Sequence, residues 1–487
     1  MTNKFRVMSK ILDKYNNMSK PVKASIWFVI SNVMLKGISF ITLPIFSRLL
    51  TTSEYGVVSV YSSWVSIISI ITTLTIWGGV FNVGMVKHSE DRNAIISSYQ
   101  GLAITLTLAF AFLSVAFIKP FSNFLGVSPL LVVCMYIEII AQIPYNLWSA
   151  KQRYDYEYKA LIEISVFMAI MNPVIGIIAV KSSEMYKAEA RIISAVAVQL
   201  IIGIWAYIHN QRNGNCYYHK EYWTYAFRFN LVLVPHYLSM QVLNQSDRVM
   251  INKMCGSSDA GVYSVAYNFA MLLSLITSGI NSSLTPHIYE SLKNNDTEKL
   301  GKQTAGITLI VAGITVGLIC VVPDIFKFML PESYYEALWV IPPVTAGAFF
   351  MFLYPLFGTI EFYFEENRYV TVASLIGALL NIMLNYIFIN RYGYIAAAYT
   401  TLVCYIIFSI CHYFFMKRIL QKRNINIKVY NYKALFVISL TVVIISVAIV
   451  PLYERYVIRW GIMASILVIV LLKRKTMKKV LLNLFGE

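Results

Sequence analysis

Charged residues are scarce in this sequence. Only 13% of its residues are Asp, Glu, Lys or Arg, whereas 58% are hydrophobic and the mean hydropathy is +0.62. A soluble globular protein of this size carries more charge and less apolar surface than this. The composition therefore predicts an all-α integral membrane protein with many spanning helices.

Motifs that would indicate an enzyme or a metal protein are also missing. The sequence contains no phosphate-cradling P-loop, no nucleophile elbow and no His/Cys cluster with the spacing of a zinc site. Its six cysteines are scattered, mostly within apolar runs, and are predicted to be packing residues. No ATP-driven mechanism, cofactor or metal site is expected.

Negatively charged residues are fewer than positively charged ones: the sequence has 24 Asp and Glu but 41 Lys and Arg. The basic residues lie in short connections between apolar runs, so the net charge of +17 reflects membrane topology and not nucleic-acid binding. Lys and Arg concentrate at both ends of the chain and in the even-numbered connections, which predicts that both termini are cytoplasmic. No connection is long enough to fold as a separate soluble domain.

Apolar runs predict fourteen transmembrane helices. They are placed at 24–47, 56–80, 95–118, 128–149, 160–180, 190–208, 228–251, 260–285, 303–323, 336–360, 369–390, 393–416, 433–452 and 457–472.

An internal repeat relates the two halves of the chain. TTSEYGVVSVY at 51–61 reappears 205 residues later as GSSDAGVYSVA at 256–266, and Gly56 and Gly261 are among the identical positions. Six helices separate the copies, and because six is even, both copies insert with the same orientation. This predicts two lobes related by a pseudo-two-fold axis along the membrane normal, with a substrate cavity between them.

The repeat predicts three regions. An N-terminal lobe of six helices is expected at 1–210 and a C-terminal lobe of six helices at 220–420. Residues 430–487 hold two further helices and a basic cytoplasmic tail, and they have no counterpart in the first half.

The seventh predicted span, within 227–254, is long enough to cross a bilayer but carries six polar side chains. These are His236, Gln241, Asn244, Gln245, Asp247 and Arg248. They cover about half of the helix circumference, and unpaired polar groups in hydrocarbon are costly. This helix is therefore expected to line a protein interior or a hydrated cavity.

A matching polar stripe lies on the first span, where Asn32, Lys36 and Ser39 share one helix face. Lys36 lies about 18 Å into the span, at 1.5 Å per residue, which is too deep to reach the surface. On the repeat offset, Lys36 corresponds to Gln241 and Ser39 to Asn244. We interpret Lys36 as a cation in a hydrated cavity that meets an anionic group of the substrate; the alternative is a structural ion pair.

The roles of several other polar residues can be interpreted in more than one way. Asp247, His236 and Glu138 are candidates for binding a coupling proton or sodium ion. Asp247 and Arg248 could instead anchor the helix end, His236 could be a satisfied structural residue, and Glu138 could pair with Lys36. Asn381 and Asn385 are one turn apart on the eleventh span, and interhelical hydrogen bonding is expected of them.

Three patches resemble a known family. LPIFSRLLTTSEYGVVSVY at 43–61, DRVMINKMCGSSDAGVYSVAY at 247–267 and LLNIMLNYIFINRYGYIAAAYTT at 379–401 are similar to the polysaccharide biosynthesis flippases of the multidrug/oligosaccharidyl-lipid/polysaccharide exporter superfamily. The resemblance implies a flippase that moves polyprenyl-pyrophosphate-linked O-antigen or capsule repeat units from the inner to the outer leaflet of the bacterial plasma membrane by alternating access. It implies membrane lipids, and assembly proteins such as a polysaccharide polymerase, as partners. A proton gradient, a sodium gradient or the membrane potential would drive transport.

The substrate-binding residues expected on this basis are Lys36, Asn32, Ser39, Gln241, Asn244 and Arg248. Lys36 suits a pyrophosphate. Three alternatives stay open. A multidrug exporter of the same superfamily commonly has an acidic residue in the first span, and a peptidoglycan-precursor flippase has several cavity arginines. A membrane-embedded polymerase or glycosyltransferase would need larger loops than this chain has.

Overall fold

The structure is a computed structural model that describes residues 18–294, 296–423 and 428–472. Within these ranges the chain forms helices and no strands, which confirms the predicted all-α class. The α-helices are α1 (Lys20–Leu49), α2 (Thr52–Thr73), α3 (Gly79–Lys87), α4 (Arg92–Ala116), α5 (Ile118–Leu125), α6 (Pro129–Tyr154), α7 (Tyr158–Lys181), α8 (Lys187–Gly214), α9 (Lys220–Met254), α10 (Ser257–Ala270), α11 (Leu272–Lys293), α12 (Thr297–Met329), α13 (Ile341–Tyr363), α14 (Asn367–Tyr392), α15 (Ile395–Lys422), α16 (Tyr432–Ala448) and α17 (Tyr456–Leu472). Two 3₁₀ helices, Glu332–Val340 and Val450–Leu452, precede α13 and α17.

Each of the fourteen predicted spans coincides with a helix or a pair of helices. Of the described helices, ten are long and apolar enough to cross a membrane, and α10 and α11, with a 40° bend between them, are together long and apolar enough for one more crossing. The polar side chains of α9 lower its hydropathy, although its 35 residues are ample for a crossing. The last two predicted spans correspond to the shorter apolar helices α16 and α17.

The span predicted at 56–80 is interrupted, and this part of the prediction was wrong. Helix α2 ends at Thr73, and Leu74 and Thr75 adopt left-handed backbone angles with φ of 52° and 50°. The Thr73 hydroxyl donates to the Ser69 carbonyl at 2.6 Å and accepts from the Thr75 amide at 3.2 Å. Such local side-chain bonds compete with the helical backbone bonds and end the helix.

Several helices extend beyond the apolar runs that predicted them. The connection expected at 209–227 is mostly helical, because α8 continues to Gly214 and α9 begins at Lys220. Helices α11 and α15 likewise continue into the connections expected at 286–302 and 417–432. Backbone hydrogen bonding thus continues past the point where the side chains become polar.

The chain divides into two compact units. The first contains the described residues up to Leu49 together with Ile68–Val234, and the second contains Leu50–Ile67 together with the described residues from Pro235 onward. Helices α2 and α9 each contribute to both units. The lobes expected from the repeat, 1–210 and 220–420, remain a prediction.

The core of the first unit forms around α3, α4 and α6. Phe81, Tyr99, Ile143 and Leu147 are almost completely buried and belong to one apolar cluster. Helix α1 lies at the side of this unit, packs against α7, and leaves much of its surface exposed.

The second unit is built on α13, which packs against α11 and α15. Phe349, Phe352 and Leu356 of α13 lie in a single apolar cluster with Tyr405 of α15 and Leu243 of α9. The C-terminal half of α9, which carries most of the predicted site residues, is therefore held against a rigid core.

The two copies of the sequence repeat contact each other inside the second unit. A Cβ added to Gly56 would lie 1.8 Å from the Ser257 carbonyl oxygen, and one added to Gly261 would lie 2.0 Å from the Thr52 carbonyl oxygen. Only glycine permits this approach.

Hydroxyl groups join the same helix starts. The Thr52 and Ser258 hydroxyls are 2.8 Å apart, and the Ser53 and Ser257 hydroxyls are 2.6 Å apart. The 205-residue offset converts each of these hydroxyl pairs into the other, so the contact between the start of α2 and the start of α10 is reciprocal.

An ion pair fixes the last helix, α17, to α12. Arg459 is 3% exposed and binds both carboxylate oxygens of Asp324, at 2.8 and 2.9 Å. The same guanidinium donates to the Cys320 carbonyl at 2.6 Å. This bidentate geometry defines where α17 sits against the bundle.

Candidate functional site

The predicted site residues of the first unit lie on α1. Asn32, Lys36 and Ser39 are all exposed, and the Ser39 hydroxyl donates back to the Leu35 carbonyl at 3.0 Å. Within the part of the chain that the structure describes, no carboxylate lies within ion-pair distance of Lys36. The structure thus places this ammonium group in the middle of a spanning helix with no carboxylate partner among the described residues.

Glu138 lies on α6 and is half-buried. Its Oε1 accepts a hydrogen bond from the Gln142 amide at 3.0 Å, one turn along the same helix. The sequence allowed the hypothesis that Glu138 forms an ion pair with Lys36, and the structure, which describes both residues, does not contain this ion pair.

Asp247 is the most elaborately bonded of the predicted residues. It is 1% exposed, and its Oδ2 accepts from the Tyr263 hydroxyl and the Thr401 hydroxyl, each at 2.6 Å. Its Oδ1 accepts from the amides of Asn385 at 2.7 Å and Asn381 at 3.3 Å. All four donors are neutral, so the carboxylate is hydrogen-bonded but has no ion-pair partner among the described residues.

A second set of contacts positions those donors. The Asn385 amide also donates to Asn381 Oδ1 at 3.1 Å, and the Ser246 hydroxyl donates to the same oxygen at 2.5 Å. Asn385 Oδ1 accepts from the Thr400 hydroxyl. The interhelical hydrogen bonding expected of the two asparagines is confirmed, and it joins α9, α14 and α15 around one buried carboxylate.

Arg248 points away from Asp247, although the two are adjacent in sequence. Its guanidinium lies 4.5 Å from the centre of the Tyr267 ring and donates to Gln245 Oε1. Gln245 also accepts from the Ser63 hydroxyl at 3.1 Å. Arg248 is therefore held by an aromatic face and an amide, and its charge is not neutralised by a carboxylate within the described ranges.

The remaining predicted site residues of α9 are half-buried. Asn244 accepts from the Tyr405 hydroxyl at 2.8 Å, whereas Gln241 lies one turn earlier on the helix. His236 Nδ1 is 3.0 Å from the Ser374 hydroxyl of α14. The polar stripe predicted on this helix is thus divided between buried links to neighbouring helices and half-buried amides.

Of the four residues that donate directly to Asp247, Tyr263 and Thr401 were not singled out from the sequence. Both lie within the sequence patches that resemble the family, and this resemblance was a signal that could have identified them. Hydropathy does not show which Tyr or Thr faces a carboxylate on another helix.

The groups around Asp247 point hydrogen-bond donors at its carboxylate. A hard cation, which prefers oxygen ligands, would have to displace one of these donors or turn its oxygen towards the ion. Among the described residues, no group of three or more His, Cys, Asp or Glu side chains is placed to hold a metal ion.

Two protein-family models match this chain. A family model described as polysaccharide biosynthesis protein matches residues 22–292, and a second, MatE, matches residues 233–387. The first match covers more than half of the chain.

Two curated relatives have distant but extended similarity. A protein of the Lsg locus of Haemophilus influenzae is 20% identical over 382 residues, which cover 74% of this chain and 89% of the relative. The succinoglycan biosynthesis transport protein ExoT of Rhizobium meliloti is 22% identical over 303 residues, 60% of this chain and 59% of that protein.

Solved structures share the fold. The inward closed conformation of the lipid II flippase MurJ superposes with a TM-score of 0.69 at 16% identity, covering 93% of this chain and all of the other. An inward-facing multidrug resistance MATE transporter gives a TM-score of 0.64 at 11% identity and covers 82% of this chain. At such identities the likeness establishes the fold alone.

Proposed function

Because the chain belongs to the polysaccharide biosynthesis protein family of the exporter superfamily that includes MurJ and MATE proteins, we propose that it is a flippase for polyprenyl-pyrophosphate-linked oligosaccharide repeat units. It moves them from the inner to the outer leaflet of the bacterial plasma membrane by alternating access. The chain is a multi-pass membrane transporter and not an enzyme. The identity of the substrate and the direction of its transport are what we propose here.

Lys36 is the observation that carries the proposal. A lysine about 18 Å into a spanning helix needs water, a carboxylate or a bound anion to support its charge. No carboxylate pairs with it within the described ranges, and its side chain is exposed. A pyrophosphate supplies the anion, and Asn32 and Ser39 on the same helix supply hydrogen-bonding partners.

Gln241, Asn244 and Arg248 are the proposed counterparts on α9. Gln241 and Asn244 are half-buried and have amide groups that suit sugar hydroxyls. Arg248 has no carboxylate partner among the described residues, which leaves its charge for the anionic part of the substrate.

We assign ion coupling to Asp247. Its four hydrogen-bond donors are neutral, so a sodium ion or a proton that displaced one of them would neutralise the carboxylate. The gradient of that ion would then drive the conformational cycle. Glu138 and His236 remain secondary candidates, because both are half-buried and neither is enclosed as Asp247 is.

Topology and partners follow from the same proposal. The distribution of Lys and Arg puts both termini in the cytoplasm. The substrate is made on the cytoplasmic face and used on the outer face, so a polysaccharide polymerase and assembly proteins would receive what this chain delivers.

The same fold also serves other substrates, and Lys36 discriminates between them. An exporter of organic cations would be disfavoured by an uncompensated cation in the first span. A peptidoglycan-precursor lipid is also a pyrophosphate and would fit Lys36. The peptidoglycan precursor and the proposed repeat unit are both anionic pyrophosphates, and the identity of the attached sugar distinguishes them.

The proposal is tested by depletion followed by reconstitution. Depleting the protein should cause one lipid-linked sugar to accumulate in the inner leaflet, and that lipid can be isolated and added to proteoliposomes containing the purified chain. The expected result is its appearance in the opposite leaflet without covalent change. Accumulation of a peptidoglycan precursor would identify the alternative flippase, and a covalently altered glycan would identify an enzyme.

A further inference from the structure

A second buried titratable pair lies in the second unit, apart from Asp247. Glu361 of α13 and His412 of α15 are both 0% exposed, and His412 Nδ1 lies 2.8 Å from Glu361 Oε1. The rings of Phe408 and Tyr354 flank the imidazole, with centroid distances of 4.7 and 5.2 Å. The surroundings are thus apolar and aromatic.

Each member of this pair has one polar atom without a partner. Glu361 Oε2 and His412 Nε2 are both buried and make no hydrogen bond. Buried polar atoms are satisfied in the large majority of cases, because an unsatisfied one costs about 1–3 kcal/mol. Glu361 Oε2 is the atom that a bound proton would occupy.

The charge of the pair depends on that proton. A carboxylate with a neutral imidazole carries one net negative charge, whereas one additional proton makes the pair neutral. No Lys or Arg forms an ion pair with either residue within the described ranges. Glu361 is also two residues from the end of α13, where the helix dipole disfavours a negative charge. Burial and dipole therefore both favour the protonated pair.

Other titratable groups around the pair are few. Tyr354 of α13 and Cys411 of α15 lie beside it, and His236 of α9 interacts electrostatically with His412.

Charged groups near the end of α13 pair with one another. Arg368 and Lys422 each lie 3.1 Å from Glu366, so neither is directed at Glu361.

We propose that Glu361 and His412 form a proton-binding site that takes up one proton from water. The proton binds at Glu361 Oε2, and no bond between heavy atoms changes. In the flippase proposed above, this site would add proton uptake to the transport cycle. That coupling rests on the proposed function, whereas proton binding itself does not.

The test is infrared difference spectroscopy of the purified full-length chain in lipid nanodiscs, between about pH 5 and about pH 9. The acidic-minus-alkaline spectrum should contain a carboxylic-acid C=O band that is lost in Glu361→Gln. In His412→Gln the glutamine can still donate a hydrogen bond to Glu361, but the midpoint of that band should move by about one pH unit or more. A purely structural hydrogen bond between α13 and α15 predicts no pH-dependent band from Glu361.

Glu366→Gln is the matched control, because this carboxylate is five residues away and titrates differently. The Lys422 ammonium holds the pKa of the Glu366 carboxyl below its usual range, so Glu366 stays ionised throughout and its removal should leave the spectrum unchanged.

Identical difference spectra for the wild type and Glu361→Gln would overturn the proposal. If Glu361→Gln does not fold, an unmoved midpoint in His412→Gln would overturn it instead. Neither measurement needs a lipid-linked sugar, so a chain that binds the proton but fails the flipping assay would reject the proposed function and leave this site intact.

Discussion

Lys36 is the residue on which substrate recognition can be tested. Replacing it with alanine should abolish export of the lipid-linked sugar while the protein still accumulates, because the change removes a costly unpaired charge and no packing partner. Lys36→Arg should keep partial activity, since a guanidinium also binds phosphate but with different geometry. Export and membrane protein level are measured together.

Lys20 provides the control for this experiment. It lies at the start of the same helix and pairs with Glu157 at 2.6 Å, with both side chains more than half exposed. Lys20→Ala should therefore leave export unchanged. Normal export by Lys36→Ala at normal abundance would remove Lys36 from the substrate site.

Asp247 is expected to hold the coupling ion. Adding sodium should raise the unfolding temperature of the wild-type chain, because a ligand that binds only the folded state stabilises it. Asp247→Asn should lose that response and transport. Asp247→Ala should also lower the free energy of unfolding by about 1–3 kcal/mol, since it leaves buried donors without an acceptor.

Thr401→Val separates the charge of the site from its hydrogen bonds. It keeps the Asp247 carboxylate and removes one donor at 2.6 Å, so ion binding should weaken but persist. An unchanged ion response in Asp247→Asn would show that coupling takes place elsewhere.

At this scale the sequence shows which residues are costly in a membrane, but not what they bind. Lys36 and Asp247 stand out because a charge interrupts an apolar run. Glu361 and His412 did not stand out: Glu361 falls one residue beyond the predicted span 336–360, and His412 is a single histidine within another span. Their pairing depends on how two helices pack, and a one-dimensional pattern does not contain that.

Among the helices, α17 has a specific attachment that can be tested. Asp324→Ala should lower the free energy of unfolding by about 1–3 kcal/mol, because it leaves the buried Arg459 without its partner. This loss of stability is smaller than is usual for breaking a buried ion pair, because the Asp324 side chain is 41% exposed. A double-mutant cycle with Arg459→Ala, followed by thermal unfolding in detergent, measures the coupling.

The exposed pair between Glu298 and Lys302, near the start of the same α12, is the control. Glu298→Ala should not change the unfolding temperature measurably. Additive effects of the Asp324 and Arg459 substitutions would mean that the ion pair does not hold α17 in place.

Hydropathy predicts the helices well and their ends poorly. All fourteen predicted spans contain helix, because about twenty apolar residues in a bilayer must satisfy their backbone groups within the segment. The break after Thr73 was missed because it arises from hydrogen bonds between a side-chain hydroxyl and the backbone. The average hydropathy of a segment contains no information on such bonds. The extensions of α8 and α9 were missed because their residues are polar, and a polar helical turn cannot be distinguished from a loop by hydropathy.

For the whole molecule, the reciprocal contact between α2 and α10 offers a test of alternating access. With the six native cysteines replaced, Ser53→Cys with Ser257→Cys should form a disulfide, because the two hydroxyls are 2.6 Å apart. If transport requires this contact to separate, the oxidised protein should be inactive and reduction should restore export. Cross-linking and export are measured on the same membranes.

Each single cysteine variant is the control and should export normally under oxidation. Full export by the cross-linked protein would show that the starts of α2 and α10 stay together through the cycle, and that rigid-body rocking at this point is the wrong mechanism.

The reciprocity of this contact also bears on the origin of the chain. An interface in which residue i meets residue j and its counterpart j meets i has the form of an isologous homodimer interface. Thr52 with Ser258 and Ser53 with Ser257 meet this condition, and so do Gly56 and Gly261. Two separate copies of a half-length ancestor would have made the same contact before gene duplication and fusion joined them.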